Sequence, residues 1–187
     1  FMKTITGPSV NWLYETLPSE GTAGRRIGQP RGKTLGGSSS INGHIYNRGQ
    51  RMDFDVWAQM GNRGWSYADV LPYFKRSERR VGDGDDKFRG REGQYVIEDL
   101  EWEHPLCDAF MEGATSLGIP RNADYNGEAQ EGVGFFQRSI HKGLRQSSAR
   151  SYLYPAMGKG NLTVKTKAMA TSLILEGKRV VGVRFRQ

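Results

Sequence analysis

The sequence predicts a mixed α/β chain. Three observations carry that prediction. Apolar residues recur at helical spacing in two segments, 51–61 and 104–120. The tail "TSLILEGKRVVGVRF" reads as a strand hairpin. The 25 glycines among 187 residues demand many turns. With 36% hydrophobic and 11% aromatic residues, the composition is that of a folded chain rather than a disordered one. The length fits one domain or two small ones.

In chain order, residues 1–35 read as loop, because Gly7-Pro8, Pro18, Gly21, Gly24 and Pro30 break any long period. "SSSINGHIYNRG" predicts a helix that starts on serine caps at Ser38 and stops at Gly49. "RMDFDVWAQMG" places Phe54, Trp57 and Met60 at helical spacing and ends at Gly61. "WSYADVLPYFKRSE" opens on a capping box, Ser66 with Asp69, and Pro72 is expected to interrupt or restart that helix. Trp57, Trp65, Tyr73 and Phe74 are expected in the core.

"VGDGDDKFRGREG" reads as a solvated loop; Asp83, Asp85 and Asp86 miss the offsets of a calcium loop. "HPLCDAFMEGATSLGIP" predicts an amphipathic helix with Leu106, Phe110, Ala114 and Leu117 on one face, ended by Gly118 and Pro120. "RNADYNGEAQEGVG" is rich in turns. "NLTVKTKAMATSLILEGKRVVGVRF" reads as strands, turning at residues 176–178.

The net charge of +7 fits a basic partner-binding surface. Acids are interspersed among the bases, however, and no block of like charges forms, so no nucleic-acid partner is expected. Cys107 stands alone, which leaves no internal disulfide and no thiolate metal site. His44, His104 and His141 lack metal-ligand spacing, so no metal is expected. No apolar run approaches the roughly 18 residues of a membrane helix, and no secretory segment is visible.

The densest motif is "GQPRGKTLGGSSSINGHIY", residues 28–46. It fails as a phosphate-binding P-loop: Gly28 is one residue too close to Gly32-Lys33-Thr34, and Pro30 removes an amide donor. It fails as a nucleophile elbow, because Gly36-Gly37-Ser38-Ser39-Ser40 lacks the second glycine. A dinucleotide-binding GxGxxG is absent from the chain. Two physical features remain. Gly36 and Gly37 bare the main chain at an expected helix mouth, where amides and dipole favour a negative group. Gly43 leaves room for a planar or bulky ligand. A tight turn packed on its own protein is the competing reading.

"PRGKTLGGSSSINGHIYNRG" resembles the first signature of the glucose-methanol-choline (GMC) oxidoreductase family, in its choline dehydrogenase and acceptor-linked alcohol dehydrogenase branch. The resemblance continues, in the family's order, through "DFDVWAQMGNRGWSYADVLPYFKRSE", "ADYNGEAQEGVGFFQ", "GLRQSSARSYLYPAM" and the strand-rich tail.

It implies an FAD enzyme that oxidises a small-molecule alcohol by hydride transfer to the flavin, with an acceptor that the sequence does not identify. It implies that Gly36, Gly37, Ser38, Asn42, Gly43 and Ile45 line the cofactor, and that Ala170 meets the adenine through its backbone. Ile41 replaces a histidine that some members link to the flavin, so the FAD is expected to be non-covalent. His44 does not match the family's base and is expected to be a surface or helix-packing residue. Arg145, Ser147 and Ser148 are expected to be structural.

By the same resemblance the chain is an internal piece of a longer protein. Residues 1–75 belong to an FAD-binding domain, 76–157 to a substrate domain, and 158–187 are strands returning to the first. The N-terminal Rossmann unit and the catalytic histidine are expected outside it. No catalytic residue is therefore expected in this chain, which alone is expected to be inactive and to hold FAD weakly or not at all. Taken alone such a piece is α+β. A cytoplasmic location is implied, either free or touching the inner membrane. The alternative is a non-enzymatic basic module that binds protein or nucleic acid.

Overall fold

The computed structural model describes residues 7–102 and 104–187, which form a larger unit running to Leu153 and a smaller one spanning Tyr154–Gln187. Part of the expected leading loop, residues 1–6, lies outside the described residues.

In the larger unit the supposed loop up to residue 35 contains local pairing. Asn11 is buried, and its side-chain oxygen accepts the amides of Leu13 and Arg31, each at 3.0 Å. That bond pins the chain's two passes together. Strands β1 (Tyr14–Glu15) and β2 (Gly28–Gln29) pair antiparallel just beyond it.

Helix α1 (Arg51–Gln59) forms where the sequence predicts, with Asp53 Oδ2 accepting the Gln50 amide at 2.7 Å at its start. Helix α2 (Tyr67–Ser77) begins on the expected Ser66–Asp69 capping box. Pro72 does not interrupt it. The missing amide would have met Ala68, in the first turn, where the capping box and the Val70 amide on the Ser66 carbonyl already hold the backbone. The two helices meet through Phe54, whose ring lies 6.2 Å from Tyr67 and 5.5 Å from Phe74, centroid to centroid. Such pairs contribute about 0.5–1.5 kcal/mol each beyond area burial. Trp57, Trp65 and Tyr73 are half-exposed rather than in the core. Trp57 and Trp65 stack edge to face at the rim, 5.7 Å apart.

Strand β3 (Glu78–Arg80) pairs in parallel with β4 (Tyr95–Ile97), and β5 (Ile140–His141) pairs with β6 (Leu144–Arg145). The segment between β3 and β4 corrects the solvated-loop expectation. Phe88, Arg89 and Gly90 are buried, because Arg89 pairs inside the unit with Glu78. Helix α3 (Pro105–Ser116) starts on His104, whose Nδ1 accepts the Leu106 amide at 3.2 Å. The helix is as expected, but its expected core face is not. Leu106, Phe110 and Leu117 are exposed, and Met111 is the buried residue, its sulfur 3.5 Å from the Arg121 guanidinium.

In the smaller unit β7 (Met169–Glu176) and β8 (Arg179–Arg186) make the predicted hairpin, with Gly177 at φ +60° in the turn. Leu173 faces Val183, and register shifts follow Ala170 and Ile174. Residues 161–168, read as strand from sequence, have no strand partner among the described residues. Every residue of β7 is exposed, and so is all of β8 except Gly182.

Candidate functional site

The glycine- and serine-rich segment folds as a strap. Gly32 packs so closely beneath it that a Cβ there would lie 2.1 Å from the Gly37 carbonyl oxygen. Gly36 has φ +85°, and a Cβ on it would meet Ser40 Oγ at 2.5 Å and the Ala149 methyl at 3.1 Å. Both positions therefore require glycine.

The helix expected from Ser38 to Gly49 is a single 3₁₀ turn, Gly37–Ser40. Its serines do not cap forward. Ser39 Oγ donates back to the Gly36 carbonyl at 2.5 Å, and Ser40 Oγ to that of Leu35 at 2.8 Å. The amides expected to face an anion are engaged within the turn: Gly37 donates to Thr34, Ser39 to Gly36, and Ile41 and Asn42 to Ser38. The anion seat at a helix mouth is thus not built as expected, because one turn supplies no sustained dipole and engages most of its amides. Gly36 is a turn glycine packed against Ser40 and Ala149.

Past the turn, the strap is held from beneath by residues distant in sequence. Arg145 Nη1 donates to the backbone oxygen and to Oδ1 of Asn42, each at 2.7 Å. The Ser148 amide donates to Ser39 Oγ at 2.9 Å, and Ser148 Oγ to the Gly36 carbonyl at 3.2 Å. Ser147 is buried. Asn42 Oδ1 also accepts the His44 amide at 3.0 Å. Beyond Asn42 the strap runs beside residues 137–139: the Ser139 amide donates to the His44 carbonyl, and the Tyr46 amide to that of Gln137, each at 2.9 Å. His44 therefore sits in the strap, half-buried, at φ +51°. Burial first, and then the charges of Arg145 and Arg138, hold its imidazole below the usual histidine value. Burial also lowers Arg145.

The other surface of the strap is open. Ser38, Asn42, Gly43 and Ile45 are exposed, and a Cβ on Gly43 would meet no atom within 4 Å. Six of the seven sequence-derived positions, Gly36, Gly37, Ser38, Asn42, Gly43 and Ile45, fall on this one strap. Ala170 lies in the smaller unit, exposed on β7 opposite Phe185. Ile41 points inward, at 4% exposure.

A buried polar network anchors the end of the strap. Glu78 receives both Arg48 and Arg89, whose guanidinium groups and its own carboxylate are fully enclosed. The Gly90 amide reaches Glu78 at 2.9 Å. Arg89 continues to Asp124 at 2.5 Å and Gln137 at 2.8 Å; Arg48 donates to the Phe88 carbonyl at 2.7 Å. Asn126 and Tyr125 close the ring by donating to the Tyr46 carbonyl at 3.1 and 2.8 Å. Two cations thus meet two carboxylates, and both oxygens of Glu78 are bonded, which is the condition for burying charge, while Asp124 uses Oδ1 alone and leaves Oδ2 buried without a hydrogen bond. Burial works against the Arg89 cation, but hydrogen bonding and charge from Glu78, with Asp124, leave it above its ordinary value. Burial pushes the Tyr125 phenol up to about 12 and raises Tyr46 as well.

Sequence reasoning missed Gly32, Arg48, Glu78, Arg89, Asp124 and Gln137. The one available signal was Phe88-Arg89-Gly90, an aromatic and a glycine flanking an arginine in an otherwise polar loop. Elsewhere His141 Nδ1 pairs with Glu98 at the edge of β5. Among the described residues no group of three or more His, Cys, Asp or Glu could hold a metal, and no helix is long and apolar enough to cross a membrane.

The sequence model of the GMC oxidoreductase family matches residues 10–187. The oxygen-dependent choline dehydrogenase of Staphylococcus saprophyticus is 46% identical over 179 residues, which are 95% of this chain and 32% of that protein. That of Brucella anthropi is 47% identical over 175 residues, 94% of this chain and 32% of the relative. The chain spans about a third of the length of these curated relatives. Among solved structures, pyridoxine 4-oxidase from Mesorbium loti superposes with a TM-score of 0.83 at 33% identity, covering 94% of this chain and 36% of that one. An FAD-dependent oxidoreductase from Chaetomium thermophilum shares the fold, with a TM-score of 0.86 at 24% identity over 95% of this chain and 33% of its own.

Proposed function

The chain belongs to the GMC oxidoreductase family, and from that premise we propose that it supplies the flavin-facing strap of an FAD-dependent alcohol oxidoreductase. One observation carries the reading: Ser38, Asn42, Gly43 and Ile45 form an open strip, bound from below and free of side-chain obstruction at Gly43. The strip fits a flat ring system that is part apolar and part polar. Ile45 offers apolar contact, Ser38 a hydroxyl and Asn42 an amide, while Gly43 lets the ring approach the backbone. With the expected helix-mouth seat not built, the strip fits the ring portion of the cofactor rather than its pyrophosphate.

When bound, FAD accepts the hydride equivalent that leaves an alcohol carbon as its hydroxyl loses a proton. The residues of this chain bind and orient. Ile41 is buried and has no nucleophilic atom, so attachment is non-covalent. We assign none of the three histidines as the base that takes the hydroxyl proton. His104 caps α3, His141 pairs with Glu98, and His44 is fixed between Asn42 and Ser139. The chain by itself therefore turns over no alcohol. The substrate class we assign is a small alcohol, in keeping with the choline named for the relatives. The alternative of a basic binding module draws on fewer cations than the composition suggests, because Arg48, Arg80 and Arg89 are buried in ion pairs, while Arg25, Arg26, Arg31 and Lys33 are exposed.

The test is FAD titration followed by flavin fluorescence. The reading expects weak, saturable quenching that Gly43→Trp abolishes without unfolding the chain, and no dye reduction with choline. Absence of quenching, equal quenching by the variant, or turnover counts against it.

A further inference from the structure

Asn42 has a side chain whose orientation is decided by its neighbours. Arg145 Nη1 lies 2.7 Å from its Oδ1, and the His44 backbone amide lies 3.0 Å from the same atom. A guanidinium and a peptide N–H can only donate. Both must therefore face the carboxamide oxygen, and reversing the group would set its NH₂ against two donors. The NH₂ is left on the exposed side, beside the open space at Gly43, and no hydrogen-bond partner for it occurs among the described residues.

Arg145 holds more than one atom of the strap. The same Nη1 also donates to the Asn42 backbone oxygen at 2.7 Å and approaches that of Ser39 at 3.4 Å. One cation, 103 residues away in sequence, thus fixes both the backbone and the side chain at the point where the strap is barest. A charge-assisted bond of this kind is stronger than a neutral one and more demanding in its geometry.

We propose that Arg145 is a positioning residue: it turns the Asn42 carboxamide so that the strap offers its ligand a hydrogen-bond donor, and no acceptor, at this position. Resting on the flavin reading above, this means that Asn42 selects the acceptor edge of the ring system, its carbonyl oxygens and unprotonated nitrogens. The strap thereby acquires a polarity that its composition does not reveal, since asparagine alone could present either group.

Two measurements on the full chain test this. The first needs no ligand: hydrogen exchange of the His44 amide in wild type, Arg145→Gln and Arg145→Lys. The proposal expects exchange about tenfold or more faster in Arg145→Gln, with protection partly kept in Arg145→Lys. Unchanged exchange in Arg145→Gln overturns it. The second is FAD binding by fluorescence to Asn42→Asp. The carboxylate still accepts from Arg145 and His44, so His44 stays protected, but the outward donor becomes an acceptor. Affinity is expected to fall by about tenfold or more. Wild-type affinity in this variant overturns the donor assignment. If the wild-type chain binds no FAD, the flavin reading fails and the ligand half of the proposal fails with it. The positioning of Asn42 by Arg145 is then decided by the His44 exchange alone.

Discussion

The larger unit around Glu78 and the β7–β8 hairpin solve the folding problem in opposite ways. Around Glu78 the chain encloses charge: Arg48, Arg89 and the glutamate are buried, and each guanidinium has several acceptors. In the hairpin the chain leaves apolar surface open, with Leu173, Leu175, Val180 and Val183 about half-exposed or more. The run Leu173-Ile174-Leu175 against Val180-Val181 has the near-continuous apolar pattern of strands covered on both faces, not of a surface ribbon. The first region meets its buried cations with its own carboxylates. The second is shaped to be covered. The strap combines both conditions, closed beneath by Arg145 and Ser148 and open above Gly43.

Breaking the closed region should have the largest effect. Glu78→Gln leaves two buried guanidinium groups without their shared carboxylate and should cost about 3–5 kcal/mol, read by urea unfolding. A loss under about 1 kcal/mol would mean that the network does not hold the unit. Gly32→Ala comes next. Its Cβ would sit 2.1 Å from the Gly37 oxygen, so the strap must move, at about 1–3 kcal/mol.

Tyr125 sharpens the comparison by pH. Its phenol is raised to about 12, so the folded state keeps a proton that the unfolded state releases from its ordinary value of 10.0 upward. Stability should be level below pH 10 and fall as pH rises toward 12, because the unfolded chain then binds fewer protons. Absorbance titration at alkaline pH should show Tyr125, with Tyr46 and Tyr152, lagging the other tyrosines. The smallest effect belongs to the open region. Leu173→Ser in the hairpin should change the stability of this chain by no more than about 0.5 kcal/mol, since little is buried there to lose.

The pattern of success in reading the sequence follows the same division. Helices α1, α2 and α3 and the hairpin were legible, because local periodicity, caps and turns specify them. The strap was legible as a distinct segment by family resemblance, but its conformation was not. Ser39 and Ser40 look like forward caps, and only the positions of Gly36, Ala149 and Arg145 show why they bond backwards. Arg89 was read as solvated because its partners Glu78, Asp124 and Gln137 are 11, 35 and 48 residues away and nothing local marks them. The exposed face of α3 shows the converse limit. Leu106, Phe110 and Leu117 share the predicted stripe, yet within this chain the helix is seated on Met111. A stripe states that a face can be covered, not that the covering lies in the same segment of chain.

The most direct test of the account is amide chemical-shift mapping of the chain as FAD is added. The account predicts that shifts concentrate at Ser38, Asn42, Gly43 and Ile45 and leave the Glu78 network unmoved. Shifts that bypass the strap, or that centre on the buried network, would contradict it.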